Sequence, residues 1–154
     1  MSGGEHEAVE RVWVDDGPRL WRSLLAFSAD ADVASDAMAE AFAQALGRGP
    51  EIRDHAQWIW RAAFRIAAGD LQSRRREVEL THDLPYDMPE STADLVGALR
   101  RLSPNQRAVV VLRLYAGMPS REVASVLGIA PTTVRVHLMQ ARRRLRPELE
   151  EHDE

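Results

Sequence analysis

Between Ser120 and Leu145 the chain carries a pattern that few folds satisfy: a short helix, a glycine, and a second helix whose apolar seam must meet the first. Ser120-Arg121-Glu122-Val123-Ala124-Ser125-Val126-Leu127-Gly128-Ile129 supplies the first helix and the turn. Ala124 is small where the second helix has to come close, and Gly128 tolerates the positive φ that a side chain resists. Val123, Leu127 and Ile129 point inward, and Val134, Leu138, Ala141 and Leu145 continue the seam at spacings of four, three and four. Two helices crossed over a tight, glycine-containing turn make a helix-turn-helix.

The opposite face of the second helix is polar and basic. It carries Thr132, Thr133, Arg135, Val136, His137, Gln140, Arg142, Arg143 and Arg144, with Arg121 on the first helix completing the set. Hydroxyls and free backbone N–H groups in the first turn suit a phosphate. Arg135, Val136, His137 and Gln140 are placed to reach base edges in a major groove. Arg142, Arg143 and Arg144 lie further along, where phosphate contact is expected. An arginine-rich solvated surface is the plain alternative, but spacing, small alanine, turn glycine and one-sided charge together favour DNA reading.

Charge follows the same division. Every basic residue other than histidine is arginine, and the formal net charge of −4 is an average over unlike parts. Residues 1–94 hold 10 arginines against 18 acidic residues, whereas 95–147 hold 10 arginines against Glu122 alone. Residues 148–154 add five acids and no arginine. A basic module therefore sits in an acidic chain, and the acidic front half is a candidate to mask it electrostatically.

The remaining periodicity predicts an all-α protein of two small helical domains. Residues 1–17 are acidic with Gly3-Gly4 and Asp15-Asp16-Gly17, and are expected to form a flexible N-terminus. Helices are expected from Pro18, then from an Asp30 or Asp32 cap to Leu46, where Gly47-Arg48-Gly49-Pro50 stops the pattern. Another runs from about Asp54 to Arg76, so that 18–76 form the first domain. Residues 77–92, acidic and broken by Pro85 and Pro89, form the linker. The second domain spans 93–149: a helix over Leu95–Leu102, a buried helix over Pro104–Tyr115 capped by Ser103, and the helix-turn-helix. Ser120 is expected to cap the first helix of that motif, and Thr132 or Thr133 to open the second. Residues 150–154 are an acidic tail.

Several classes of function find no support. The chain has no cysteine, so disulfides and thiolate metal sites are excluded. His6, His55, His82, His137 and His152 are scattered without metal-ligand spacing, and no constellation of acid, base and nucleophile suggests an enzyme. No cofactor is expected. No segment approaches ~18 consecutive apolar residues, so no membrane association is expected and a cytoplasmic location is.

On these residues the chain resembles the sigma-70 family, in its small extracytoplasmic-function (ECF) type with regions 2 and 4 only. The region 4 likeness runs from about Leu99 to Leu149 and includes Leu102-Ser103-Pro104-Asn105-Gln106-Arg107, Leu112-Arg113-Leu114-Tyr115-Ala116-Gly117-Met118 and Thr133-Val134-Arg135-Val136-His137-Leu138. Response-regulator effector domains share the helix-turn-helix part, and the upstream residues discriminate. Asp36-Ala37-Met38-Ala39-Glu40-Ala41-Phe42 is similar to a region 2 helix, and Gln57-Trp58-Ile59-Trp60-Arg61-Ala62-Ala63 through Arg76 to the segment after it.

The resemblance implies a sigma factor with no catalytic site of its own. Asp36, Ala39, Glu40 and Phe42 would meet the β′ clamp helices of core RNA polymerase; Ala39 stands where the family commonly has glutamine. The 47–56 loop with Trp58, Arg61 and Arg65 would meet the −10 element of promoter DNA; Arg65 stands where asparagine is common. Region 4 would hold the β flap and read the −35 element. An inhibitory anti-sigma factor is a further partner class. A helix-turn-helix regulator acting without core polymerase is the alternative. Of the paired Trp58 and Trp60, at least one must turn away from the other, into the core or toward an unpaired base.

Overall fold

A single helix, α1 (Gly3–Ser28), opens the computed structural model, which describes residues 3–77 and 90–152. It runs through the stretch expected to be flexible and through Pro18, where the pattern had suggested a start. Burial explains the difference. Val9 and Val12 lie on the same stripe as Leu20, Leu24 and Phe27, all buried, and this packing outweighs the hydrogen bond lost at Pro18.

Asp30 caps α2 (Ala31–Arg48), its carboxylate accepting from the N–H groups of Asp32 at 2.9 Å and Val33 at 3.1 Å. Between α1 and α2 the chain turns on Ala29, a buried residue at φ 56°. The Ser28 hydroxyl steadies this corner, accepting from the Asp30 N–H and donating to the Asp30 carbonyl. The buried face of α2 is largely alanine (Ala34, Ala37, Ala41, Ala45), which lets α1 and α3 approach closely. Gly49, at φ 53°, ends α2 and begins a single 3₁₀ turn, Gly49–Glu51.

Asp54 then receives the Gln57 N–H at 3.0 Å and starts α3 (His55–Glu77). Ile59, Trp60, Ala63, Phe64 and Ala67 close the three-helix bundle from its third side. The Phe27 and Phe64 rings meet at 5.4 Å, and Trp60 stacks on Phe64 at 6.3 Å.

Of the expected linker only residues 77 and 90–92 fall within the described helices; the rest lies outside the described residues. After it come α4 (Glu90–Arg100) and α5 (Pro104–Val110). Ser103 makes a full capping box on α5: its hydroxyl accepts from the Gln106 N–H, and the Gln106 side chain accepts from the Ser103 N–H. The helix continues as a widened turn over Val111–Tyr115, closed by the Ala116 N–H on the Val111 carbonyl at 2.9 Å. The second half ends with α6 (Ser120–Leu127) and α7 (Pro131–His152).

The architecture is all-α, with two helical domains whose buried residues join in one continuous core. Two arginines tie the halves together. Arg107 of α5 donates to the Phe27 carbonyl in the last turn of α1, and Arg19 of α1 donates to the Ala116 carbonyl at 2.9 Å, where the α5 extension ends. Each half thus supplies a cation to the negative end of a helix in the other.

Candidate nucleic-acid interface

The turn of the helix-turn-helix is made as its sequence requires. Gly128 sits in the left-handed region at φ 69°, ψ 34°, and its N–H reaches back to the Ala124 carbonyl. The Ile129 N–H adds a second bond to the same oxygen at 3.0 Å. Val123, Ala124, Val134, Ala141 and Leu145 are buried, with Leu127, Ile129 and Leu138 packed against them. Val126 is buried too, a position the seam spacing had not marked.

Two end assignments differ from expectation. Pro119 is the N-cap residue of α6, so Ser120 lies inside the first turn and its side chain caps nothing. α7 begins at Pro131, one residue before Thr132, because proline's fixed φ suits the first helical position and its missing N–H is not needed there.

Packing divides the residues expected to read DNA into two groups. Thr132, Arg135, Val136, Arg142 and Arg143 are exposed on the outer side of α7, and Arg121 is exposed on α6. The Arg135 guanidinium reaches back to the Pro131 carbonyl at 3.5 Å. The others bond to the protein or are drawn in, although Gln140 and Arg144 stay exposed. Gln140 accepts at 3.1 Å from the Gln106 amide, and Arg144 donates at 3.2 Å to the Arg101 carbonyl. Thr133 and His137 are half-buried, and the His137 Nδ1 is covered with no hydrogen-bond partner among the described residues. Met139, which the sequence did not single out, stands in the exposed group.

In the first half, Asp36, Ala39 and Glu40 form an exposed strip along α2, and the Gln44 amide donates to Glu40 at 3.0 Å. Phe42 does not join that strip. It is buried, edge-on to the Trp13 ring at 4.9 Å, and so serves to hold α2 in place. Half-exposed Trp13 is the aromatic group at this surface that sequence spacing missed.

The tryptophan pair resolves clearly. Trp60 is buried, its indole N–H donating to Asp16 at 2.9 Å while the Arg19 guanidinium lies 5.1 Å from the ring. Trp58 is half-buried, with the Arg48 guanidinium 5.9 Å from its ring. Arg61 and Arg65 are exposed on α3.

Arg61 also meets the other half: its Nη2 lies 3.5 Å from where a side chain at Gly128 would begin. α3 packs on α6 and leaves the outer face of α7 open. The described residues of the acidic half therefore leave the outer face of α7 uncovered. Among the described residues no group of histidine and acidic side chains could hold a metal ion, and no helix is long and apolar enough to cross a membrane.

Comparison with known proteins agrees with this arrangement. The family described as "Sigma-70, region 4" matches residues 92–145. The RNA polymerase sigma-E factor of Streptomyces antibioticus is 35% identical over 163 residues, covering 99% of this chain and 91% of that protein. The ECF RNA polymerase sigma factor SigL of Mycobacterium tuberculosis is 32% identical over 165 residues, covering 97% and 93%. Among solved structures, the sigma factor RpoE of Bartonella quintana, in complex with the anti-sigma factor NepR, superposes with a TM-score of 0.75 at 21% identity, covering 92% of this chain and 96% of that one. CnrH, in complex with the cytosolic domain of CnrY, gives the same score and identity over 96% and 91%.

Proposed function

Because this chain belongs to the sigma-70 family, in its extracytoplasmic-function branch, we propose that it binds core RNA polymerase and carries it to promoters, region 4 reading the −35 element and region 2 meeting the −10 element. The observation that carries this reading is the outward face of α7, basic and uncovered, behind a correctly closed helix-turn-helix. Relatives alike along nearly the whole chain favour it over a regulator that works without polymerase.

In this reading the exposed strip of Asp36, Ala39 and Glu40 meets the β′ clamp helices. Arg61, Arg65 and the half-buried Trp58 meet −10 DNA, and the β flap holds region 4. The protein acts in the cytoplasm and takes an anti-sigma factor as inhibitory partner, a reading supported by the complex of RpoE with the anti-sigma factor NepR. The named elements lie about 25 base pairs apart, ~85 Å at ~3.4 Å per pair. Arg61 and the helix-turn-helix, now side by side, must therefore part when both elements are held.

Reconstituted transcription tests this function. Purified protein added to core polymerase is expected to give transcripts that start at discrete sites. Failure to join core polymerase, with no site-dependent transcript, would overturn it. Footprints unchanged by the presence of core enzyme would favour the polymerase-independent regulator.

A further inference from the structure

The outer face of α7 holds two apolar side chains that packing does not explain. Val136 is 46% exposed and Met139 47%, on a helix whose inner seam is already filled by Val134, Leu138, Ala141 and Leu145. They stand three residues apart and therefore share a face. Around Met139 the long side chains of Arg135, Arg142, Arg143 and Arg146, with Leu138, line one concavity.

Polar side chains near them are already engaged by the protein, although Gln140 and Arg144 stay exposed. Gln140 is bonded to Gln106, Arg144 to the Arg101 carbonyl, and His137 is half-buried. Arg135 is the exposed long polar side chain of the first two turns, its Nε engaged on the Pro131 carbonyl at 3.5 Å.

A major groove presents donors, acceptors and a single kind of apolar group, the C5-methyl of thymine. Cationic side chains ring the concavity and match the phosphates that flank such a groove. Successive residues on α7 rise ~1.5 Å, so Val136 and Met139 are offset by ~4.5 Å along the axis, close to the ~3.4 Å step between base pairs. We infer that Val136 and Met139 are specificity-determining residues that read thymine methyl groups on neighbouring base pairs. Arg135 beside them reads a guanine through O6 and N7. The inference rests on α7 being the DNA-recognition helix and adds which bases it prefers.

The test begins with selection from random-sequence duplexes, using the full chain alone and assembled with core polymerase. The enriched site is expected to hold thymines next to a guanine. Each such thymine is then replaced by deoxyuridine, which pairs identically but lacks the methyl. Binding is expected to weaken about fourfold per methyl removed. Val136→Ala and Met139→Ala, both at exposed positions, are expected to keep the helical circular dichroism, and each to reduce the discrimination against deoxyuridine at one thymine while keeping it at the other. An enriched site that tolerates deoxyuridine at every position would overturn the methyl reading while leaving α7 as a DNA-reading helix. Enrichment of no sequence by the folded protein, alone or with core polymerase, would overturn that underlying reading and this inference with it.

Discussion

The Arg107 guanidinium donates at 3.1 Å to the Phe27 carbonyl and lies 5.6 Å from the Phe27 ring, joining residues eighty positions apart. α1 has no basic residue in its own last turn, and Arg107 is 4% exposed. The cation that answers the α1 dipole therefore comes from the other half of the chain.

Replacing that cation is expected to cost stability. A hydrogen bond to a charged group contributes about 1.5–3 kcal/mol. Arg107→Met should lower the urea midpoint accordingly, and Arg107→Lys should restore only part of the loss, because an ammonium cannot both lie on the ring and keep guanidinium geometry. A midpoint unchanged in Arg107→Met would show that the contact contributes nothing net.

The second tie should loosen the halves with little effect on each. Arg19 is partly exposed, so Arg19→Ala is expected to cost less than about 1 kcal/mol. Combined with Arg107→Met it removes both cross-connections. Small-angle scattering should then report a larger radius of gyration for the double variant than for either single one. Identical radii would mean that the remaining packing, of α3 on α6 and of α1 on the second half, keeps the halves together.

Gly128→Ala is expected to destabilise by roughly 1–2 kcal/mol, the cost of placing a Cβ in the left-handed region. The new methyl would stand 3.5 Å from Arg61 Nη2, an ordinary contact, so the cost is conformational and not a clash. Gly128→Asn should therefore be milder than alanine. Thermal melting of the three proteins gives the order directly.

On α7, Arg142→Ala and Gln140→Ala should behave oppositely. Losing one phosphate contact at Arg142 should weaken all duplexes alike and lower the salt slope by about 0.9. Gln140→Ala removes the bond to Gln106, so it should lower stability by about 0.5–1.5 kcal/mol while base preference stays as it was. A changed base preference in Gln140→Ala would return that residue to the reading face.

Much of this fold was legible because local chemistry and burial agree. Asp30 and the Ser103–Gln106 box start their helices where capping residues stand, and Gly128 ends α6 where a positive φ is needed. Apart from the helix starts at Pro119 and Pro131, which are local, the differences share one physical cause: a partner distant in sequence. Pro18 and the acidic run before it suggested a break, but α2 and α3 cover the stripe that carries α1 through. Gln140 and Arg144 lie outward as periodicity has them, but they also bond to Gln106 of α5 and to the Arg101 carbonyl just past α4, partners that periodicity does not reveal. Phe42 fitted a family motif, and only Trp13 on α1 explains why it turns inward.

The corner at Ala29 has a mechanical consequence. Its left-handed conformation, disfavoured for alanine, lies two residues beyond the carbonyl that Arg107 holds. The joint between α1 and α2 is thus loaded in the same place where the second half is fastened. Separating the halves would release the Phe27 carbonyl and leave that corner held from within the first half, by the Ser28 hydroxyl and the packing of α1 on α2.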